Sequence, residues 1–424
     1  MIARASWSLL LRLVLPLVFV RLWWRGRREP GYRQAWRERL GLGEGSRPGA
    51  VWLHAVSLGE TRAAGALIEA LRTLRPSVHF LLTHGTATGR EAGRAWRREG
   101  DHQCWLPYDT PGAVRRFLRR HQPAIGILME TEVWPNLIHE AVGRGVPMVL
   151  ANARLSERSA RKGRRLAALM EPAAAELTLV LAQSQDDARR MRAAGAHHVE
   201  VCGNLKFDMT PDASLVARGH AWRSALQREV VLMASSREGE EAPLLDAWRA
   251  QPVPRPLLLL VPRHPQRFDE VAQRVRDAGL SLARRSAWGD APATDDASRD
   301  VWLGDSMGEM PLYYAAADVA LLGGSFAPLG GQNLIEAAAC GCPVVMGPHT
   351  FNFVQAAEGA LGARAALRVT DIGEGVTRAI ALARDPQRAQ WTQRTLAFAE
   401  LHKGAARRMA ERIVRLIGGT APPP

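Results

Sequence analysis

The stretch VWLHAVSLGE, residues 51–60, decides the fold class. Its first residues form an apolar run that is typical of a buried strand, and the run stops at a turn that ends in Glu60. An open parallel sheet binds its ligands outside the carboxyl ends of its strands, so a carboxylate in this turn points towards a ligand. Glu60 also fits the first turn of the following helix, where the macrodipole stabilises a carboxylate. Both interpretations stay open at the level of sequence.

Similar apolar runs recur along the chain. They are VWLHAV, VHFLLTH, AIGILME, PMVLANA, LTLVLAQ and VEVCG, then EVVLMAS, PLLLLVP, RDVWLGD, DVALLGG and PVVMG. Helix-length segments such as residues 61–75 and 111–121 separate them, which is typical of βα repeats on a parallel sheet. We therefore predict an α/β protein with two Rossmann-like domains that face a central cleft, where ligands commonly bind.

Length and charge limit the possible functions. A chain of 424 residues is long enough for two cores. The 56 Lys and Arg residues exceed the 42 Asp and Glu residues, and the net charge of +14 favours acidic partners such as phosphates, nucleic acid or an anionic membrane. The four cysteines are Cys104, Cys202, Cys340 and Cys342. Their spacing indicates neither a zinc site nor a disulfide framework, and a reducing compartment fits best.

The amino-terminal stretch MIARASWSLLLRLVLPLVFVRLWWRGRREPGYR predicts a membrane anchor. Its apolar run extends from Trp7 to Trp24, and Arg25, Arg27 and Arg28 follow. A small-residue cleavage site is missing, so we expect the segment to be retained. Aromatic edges and a basic flank indicate a helix that spans the bilayer or lies in its interface, with the remaining chain on the cytoplasmic side. The alternative is a buried amphipathic helix.

Domain boundaries follow from these patterns. We predict the membrane anchor over residues 1–28 and an amino-terminal Rossmann-like acceptor domain over residues 29–210. The domain boundary falls within the polar break near residues 208–227, and we predict a carboxyl-terminal Rossmann-like domain over residues 211–385. Residues 386–424 are predicted to be a carboxyl-terminal helix with a frayed tail.

Candidate chemistry in the first half lies at predicted strand ends. The first turn offers Ser57, Gly59 and Glu60, and the strand AIGILME ends in the segment METEVWPNLI with Glu130 and Glu132. A carboxylate at the edge of a dry cleft can act as a general base, because partial desolvation raises its pKa towards neutrality. Neighbouring carboxylates raise one another's pKa further.

A single lysine stands near the predicted domain junction. The segment CGNLKFD, residues 202–208, carries Lys206, which can neutralise a carboxylate or phosphate of a ligand. A lone lysine is also commonly a solvated surface charge, so the segment by itself leaves both roles open.

The second half has polar residues at two further strand ends. Ser235 and Ser236 precede the acidic run from Glu238, which resembles a helix start. The strand LLLLV ends in Pro262 and Arg263, and an arginine there can grip a phosphate or carboxylate with two parallel hydrogen bonds.

A glycine-rich stretch from residue 303 to residue 353 predicts a nucleotide-sugar site. Gly308, Glu309 and Met310 open one helix, Gly324 and Ser325 follow a strand, and Asn333 and Glu336 belong to the next helix. Glycines let backbone N–H groups approach phosphate, and Glu336 can accept both hydroxyls of a ribose. Neither the P-loop pattern nor the GxGxxG dinucleotide pattern is present, and a DxD metal motif is missing as well.

Several motifs together resemble the Kdo (3-deoxy-D-manno-octulosonic acid) transferases of lipopolysaccharide synthesis. The motifs are HAVSLGE, METEVWPNLI, GNLKFD, ASSREGEE, PRHPQRF, GEMPLYYAAAD and GGSFAPLGGQNLIEA, and with RERLG and the apolar amino terminus they span nearly the whole chain. The resemblance implies a membrane-anchored GT-B glycosyltransferase of the bacterial inner membrane. It implies transfer of Kdo from CMP-Kdo to lipid IVA, with inversion and without a metal or other cofactor.

The resemblance also implies residue roles. Glu60 would be the general base, and Glu130 and Lys206 would support the transition state. CMP would be held by Pro262, Arg263, Gly308, Glu309, Met310, Asn333, Leu334, Ile335 and Glu336. Arg237 departs from the pattern, because many relatives carry His there.

Two other functions remain open at this level. Another GT-B enzyme, such as a nucleotide-sugar 2-epimerase or a UDP-GlcNAc-dependent transferase, would share the glycine-rich turn and the ribose carboxylate. A basic peripheral membrane or nucleic-acid-binding protein would explain the charge and the anchor but not the strand-end carboxylates. We expect no nucleic-acid partner, because no basic groove with interleaved aromatic residues is recognisable.

Overall fold

The computed structural model describes residues 2–208 and 210–417 and contains two compact units. The first unit comprises Met1–Asp208 and Lys403–Pro424, and the second comprises Met209–His402.

The first unit is a parallel seven-stranded sheet with helices. Its strands are β1 (Val51–His54), β2 (Phe80–His84), β3 (His102–Trp105), β4 (Ile125–Met129), β5 (Met148–Ala153), β6 (Leu179–Ala182) and β7 (Val199–Val201). Its helices include α1 (Ile2–Arg25), α2 (Leu58–Leu74), α3 (Ala87–Gly93), α4 (Pro111–His121), α5 (Pro135–Val142), α6 (Glu157–Arg164), α7 (Ala167–Ala175) and α8 (Gln185–Ala193). The strand order is β3-β2-β1-β4-β5-β6-β7.

This order explains the apolar runs and places the site. Strands β1, β2, β4, β5 and β6 are buried along their whole length, because helices cover both faces of a parallel sheet. Strand β1 lies between β2 and β4, so the strand order changes direction there. The carboxyl ends of β1 and β4 therefore border the crevice in which such sheets bind ligands.

The second unit repeats this architecture. Its strands are β8 (Val230–Ser236), β9 (Leu257–Pro262), β10 (Leu282–Arg284), β11 (Val301–Leu303), β12 (Val319–Leu322), β13 (Val344–Met346) and β14 (Ala366–Arg368). Its helices include α9 (Ala213–Ala225), α10 (Glu241–Arg249), α11 (Phe268–Asp277), α12 (Met310–Ala315), α13 (Leu334–Ala339), α14 (Val354–Gly362), α15 (Ile372–Ala383) and α16 (Arg388–Leu401). The order β10-β11-β9-β8-β12-β13-β14 puts the change of direction at β8.

The carboxyl-terminal segment is divided between the units, unlike the single helix and tail predicted for residues 386–424. Helix α16 contacts α13 and α14 of the second unit, so this unit extends beyond residue 385. Helix α17 (Ala405–Ile417) instead packs on α2 of the first unit. The carboxylate of Asp208 accepts hydrogen bonds from the backbone N–H groups of Gly404 and Ala406 and so ties the start of α17 to this unit. The predicted frayed tail, GGTAPPP, lies outside the described residues.

Three strands are absent from the apolar runs recognised in the sequence. Strands β3, β10 and β14 are each three or four residues long and lie at sheet edges. Edge strands have only one neighbour and need less apolar sequence, so a search for long buried runs missed these three, although it found the edge strand β7.

Helix α1 is long and apolar enough to cross a membrane by length and composition. Among the described residues of this helix only Ser8 is buried, and Leu13 and Leu17 are each 69% exposed. The alternative of a buried amphipathic helix is therefore wrong. The helix is fixed at its amino-terminal part, where Trp7 Nε1 donates to Asp109 (3.2 Å) and Ser8 Oγ donates to Asn136 Oδ1 (3.1 Å).

Candidate active site

Glu60 lies in the first turn of α2, directly beyond β1, and both of its carboxylate oxygens accept hydrogen bonds. The Val56 backbone N–H donates to Oε2 (2.8 Å) and Ser57 Oγ donates to Oε1 (2.9 Å). Ser57 caps the helix and accepts from the Glu60 N–H. This reciprocal arrangement resembles a capping box, so the helix-start interpretation of Glu60 is confirmed. It also holds the carboxylate in one orientation at the strand end.

Burial makes this carboxylate a stronger base than an ordinary glutamate. The pKa of Glu60 is raised from its usual value, chiefly by desolvation and further by the charge of Glu130. The hydrogen bonds from Val56 and Ser57 and the charge of Lys206 act in the opposite direction. Because the net shift is upward, burial outweighs the groups that favour the charged form.

Glu130 and Lys206 form an ion pair beside Glu60. The distance between Lys206 Nζ and Glu130 Oε1 is 3.7 Å, and the side chains are only 22% and 18% exposed. The interpretation of Lys206 as an isolated surface charge is therefore wrong. Glu130 follows β4 with a φ of 57°. Left-handed backbone is uncommon for residues other than glycine and is found preferentially at functional sites.

Glu132 is the most perturbed carboxyl group of this cluster. Its pKa is raised to about 7, first by desolvation and then by the negative charge of Glu60, with a smaller contribution from Glu130. Glu132 is thus poised to exchange a proton near neutral pH. Gly59, by contrast, is exposed, and a Cβ atom there would meet no heavy atom within 4 Å.

Asn152 is a positioning residue that the sequence analysis missed. Asn152 is the second-last residue of β5 and has a φ of 53°. Its Oδ1 accepts a hydrogen bond from the Leu205 backbone N–H (3.1 Å). This bond fixes the segment that carries Lys206. Its Nδ2 has no hydrogen-bond partner among the described residues. The sequence signal was an asparagine inside the apolar run PMVLANA.

In the second unit, cationic residues cluster at the ends of β8 and β9. Arg263 follows the buried Pro262, is exposed, and has no ion pair among the described residues. Its backbone N–H donates to the Ser236 carbonyl (3.0 Å). The pKa of His264 is lowered by desolvation and then by the charges of Arg237, Arg263 and Arg267. This corner is therefore suited to an anion.

Arg267 is already engaged within the unit. Its Nη1 contacts the buried Glu241 Oε1 at 2.8 Å, and a second bond joins Nη2 to Oε2. Ser236 Oγ donates to the same carboxylate (2.8 Å). Arg267 therefore neutralises the buried charge of Glu241, Ser236 donates a hydrogen bond to it, and neither residue presents a free group to a ligand.

Glu240 organises the glycine-rich loop and was also missed. Its buried carboxylate accepts from the backbone N–H groups of Gly324 (2.8 Å), Phe326 (3.2 Å) and Ala327 (3.3 Å). These N–H groups are consequently occupied by the protein's own carboxylate, contrary to the expectation that the glycine turn would offer them to phosphate. Only glycine fits sterically at the adjacent position 323, because a Cβ atom on Gly323 would lie 2.3 Å from the Ser235 carbonyl oxygen.

The serines at these strand ends have different environments. Ser325 is fully buried, donates to the Leu322 carbonyl and accepts from the Gly347 N–H, so its hydroxyl holds the loop. Ser235 has a φ of 57° and contacts Met310 Sδ at 3.9 Å. The contact brings the end of β8 next to the start of α12.

Glu309 is held by two arginines. Arg285 forms a two-point contact with its carboxylate, at 3.0 and 2.9 Å, and Arg218 and Ser306 add further bonds. Desolvation is the largest single effect on the pKa of Glu309 and raises it. The hydrogen bonds and charges of these partners together outweigh desolvation, so the net pKa is lowered. Glu309 thus stays ionised at the start of α12, next to the exposed Gly308.

The start of α13 contains the last group of predicted ligand residues. Asn333 caps the helix by accepting from the Ile335 N–H (3.2 Å). Leu334 and Ile335 are buried in the core, so any ligand contact from these two positions comes from backbone atoms. Glu336, in the first turn, is half-buried.

No group of three or more His, Cys, Asp or Glu side chains within residues 2–208 and 210–417 is arranged to hold a metal ion. The polar groups that remain for chemistry are carboxylates and one ammonium in the first unit, and arginines and a carboxylate in the second.

Sequence comparison identifies a family. A family model described as 3-deoxy-D-manno-octulosonic-acid transferase (kdotransferase) matches residues 34–209. The 3-deoxy-D-manno-octulosonic acid transferase of Bordetella pertussis is 47% identical over 431 residues, which cover 98% of this chain and 100% of the relative. The transferase of the same name from Haemophilus influenzae is 34% identical over 386 residues, covering 89% and 90%.

Solved structures show the same fold. HepE from Anabaena in complex with UDP has a TM-score of 0.58 at 16% identity and covers 88% of this chain and 100% of its own. The UDP-GlcNAc 2-epimerase of Neisseria meningitidis has a TM-score of 0.57 at 13% identity and covers 87% and 100%. At such identities the likeness concerns the fold alone, and it confirms the predicted GT-B class.

The raised pKa of Glu132 predicts how its replacement affects stability. A carboxyl group whose folded pKa lies above 4.5 stabilises the fold while protonated, and this contribution is lost as pH rises through about 7. We expect Glu132→Gln, which mimics the protonated form, to unfold at a higher temperature than the unmodified protein at pH 8 and at the same temperature below pH 4.5. Scanning calorimetry checks this, with the exposed Glu157→Gln as control; equal unfolding temperatures at pH 8 contradict the prediction.

Proposed function

Because this chain belongs to the family of 3-deoxy-D-manno-octulosonic acid transferases, we propose that it transfers Kdo from CMP-Kdo to lipid IVA in lipopolysaccharide biosynthesis. Membership makes the protein a glycosyltransferase and disfavours both the epimerase and the noncatalytic alternative. We propose the donor, the acceptor and the course of the reaction. The strand-end residues of the first unit and those of the second unit support this proposal.

The observation that carries the proposal is the environment of Glu60. Its carboxylate is oriented by Val56 and Ser57 and has a raised pKa. A base of this kind removes the proton from an acceptor hydroxyl as that oxygen attacks the anomeric carbon of Kdo. The bond from this carbon to the CMP phosphate oxygen breaks, and CMP leaves with the electron pair. One direct displacement inverts the anomeric configuration.

The neighbours of Glu60 suit a transition state with positive charge on the sugar. The sugar centre develops oxocarbenium character, so a fixed carboxylate such as Glu130 stabilises it, while Lys206 limits the repulsion between Glu130 and Glu60. Lys206 also offers a cation to the carboxylate of Kdo.

The second unit supplies groups for CMP. Arg263 is exposed and unpaired among the described residues, and its neighbour Arg237 adds positive charge. We propose that Arg263 stabilises the leaving phosphate and that Glu336 accepts ribose hydroxyls. The starts of α12 and α13 would contact the nucleotide through Gly308, Met310 and Asn333.

We further propose that transfer needs no metal or other cofactor, since CMP is a good leaving group whose charge an arginine can stabilise. Helix α1 would anchor the protein in the inner membrane, with both units on the cytoplasmic side, where Arg25, Arg27 and Arg28 would lie. The anionic leaflet and a phosphorylated acceptor suit a chain of net charge +14.

The purified full chain should transfer Kdo from CMP-Kdo, generated in the assay, to lipid IVA. Mass spectrometry measures the product, and the mass increase also gives the number of Kdo residues added. We expect equal rates in EDTA and in Mg²⁺, because the charge of the leaving phosphate is proposed to be stabilised by an arginine side chain and not by a metal ion. Activity that requires Mg²⁺ contradicts the metal-free course; transfer from a UDP-sugar but not from CMP-Kdo contradicts the donor assignment.

Replacing the proposed base should slow the chemical step. For Glu60→Gln we expect kcat to fall by roughly 10²–10⁴-fold, the usual contribution of a general base, while CMP binding stays unchanged. Steady-state kinetics and calorimetric titration with CMP measure the two effects. Glu69→Gln, on a more exposed part of α2, is the matched control. If Glu60→Gln keeps the turnover of the unmodified enzyme, Glu60 is excluded as the base.

Arg263→Ala should weaken donor binding instead. Loss of a charge-assisted hydrogen bond of roughly 1.5–3 kcal/mol predicts a donor KM higher by about 10–150-fold, with the acceptor KM unchanged. Arg276→Ala, exposed on α11, is the control. An unchanged donor KM for Arg263→Ala rules out this contact.

A further inference from the structure

The first unit contains a cavity of about 380 Å³ that the proposed chemistry does not use. It lies among the loop after β4, the loop after β5, and helices α6, α7 and α8. Its walls include Val133, Leu155, Ala160, Ala167, Met170 and Met191. The volume falls within the range of small-molecule sites, roughly 300–1,000 Å³.

The walls of this cavity suit an alkyl chain. Alanine, leucine, valine and methionine side chains dominate them and offer no hydrogen bonds, and methionine adapts to flexible apolar ligands. Arg190, a charged residue in the wall, has its guanidinium bound to the Leu155 carbonyl and to Asp187 at 3.1 Å. The charge of Arg190 is therefore satisfied within the protein. A ligand would bind this cavity mainly through the burial of hydrocarbon away from water.

One cation of α6, Arg164, lines the cavity. The same short segment carries Arg158, Arg161, Lys162 and Arg165, which do not line the cavity. None of these side chains has an ion-pair partner within the described parts of the chain, and α6 has no buried residue there. An apolar cavity beside such a basic helix matches an amphiphile with an anionic head group.

The cavity is connected to the carboxylate cluster through one loop. Thr131 and Val133 line the cavity and alternate in sequence with Glu130 and Glu132. The loop continues into α5, where Asn136 accepts from Ser8 of α1. Helix α1 also contacts α7, which forms a cavity wall. The apolar anchor, the cavity and the proposed catalytic carboxylates are thus fixed to one another within the first unit.

We propose that this cavity holds one acyl chain of the acceptor while Arg164 of α6 contacts the acceptor's phosphate. The inference rests on the proposed function, which supplies a phosphorylated, acylated sugar as acceptor. Burying a chain here would hold the sugar of the acceptor beside Glu60. The KM for an acylated acceptor would accordingly be lower than the KM for a deacylated acceptor.

Filling the cavity tests this proposal with a matched pair of variants on α7. Ala167→Phe inserts a ring into the cavity, and Ala168→Phe places the same ring on the exposed neighbour, which does not line it. Each buried methylene contributes about fourfold in affinity, so exclusion of two methylenes predicts a KM for the acylated acceptor about 15-fold higher in Ala167→Phe. We expect kcat, donor KM and activity on the deacylated acceptor to stay unchanged, and Ala168→Phe to match the unmodified protein.

Photolabelling tests occupancy without any transfer reaction. The full chain in phosphatidylcholine nanodiscs is irradiated with a tetradecyl phosphate that carries a diazirine near the chain end, and labelled peptides are identified by mass spectrometry. We expect labels on the peptides around Leu155 and Met170, reduced labelling in Ala167→Phe and Ala160→Phe, and full labelling in Ala168→Phe. Ala160→Phe fills the cavity from α6, which keeps the test valid if Ala167→Phe does not fold.

Competition identifies the natural occupant. Unlabelled acylated acceptor should suppress the labelling, whereas phosphatidylglycerol at the same concentration should not. Suppression by phosphatidylglycerol alone would make this a phospholipid site and overturn the proposal, as would unchanged acceptor KM in both filled variants. Labelling suppressed by the acceptor in a protein that does not transfer Kdo would support the cavity assignment while the proposed function fails.

Discussion

Both candidate sites depend on the geometry of a parallel sheet, which ends all its strands at one edge and opens a crevice where the strand order changes direction. In the first unit this position lies at β1 and β4, and the residues beyond these strands are Glu60 and Glu130. In the second unit it lies at β8, whose end meets the ends of β9 and β12. Because the strands are buried, their ends are held rigidly, and the polar groups that follow them inherit that rigidity.

Competition between burial and local bonding sets the proton affinity of the carboxylates. Glu60 accepts two hydrogen bonds that favour its charged form, yet its pKa is raised because desolvation is the larger effect. Glu309 is also partly desolvated, but several bonds from cations and Ser306 lower its pKa. The difference explains how one protein raises the pKa of one carboxylate and lowers that of another. The two interpretations of Glu60 are compatible, since the bonds that start α2 also orient the carboxylate.

Some polar residues near the sites hold loops and do not face a ligand. Glu240 binds three backbone N–H groups of the glycine-rich loop, and Glu241 neutralises Arg267. Asn152 fixes the segment of Lys206. Unusual backbone conformations at Glu130, Asn152 and Ser235 lie at strand ends of the same two crevices, where surrounding bonds can stabilise such strain. Positioning in this protein is therefore achieved largely by buried carboxylates and an amide.

The sequence by itself determined the α/β class, the two parallel sheets, the long apolar amino-terminal helix and the placement of Glu60, Glu130 and Arg263 at strand ends. It did so because buried parallel strands need continuous apolar runs, so their ends are visible as the first polar residues that follow. Only the tertiary structure decided that Lys206 pairs with Glu130, that Ser325 and Glu240 hold the loop, and that α17 returns to the first unit. These contacts join residues far apart in the chain, such as Asp208 and Gly404, and local patterns carry no signal for them. The cavity beside α6 depends in the same way on packing between helices, and no single stretch of sequence encodes it.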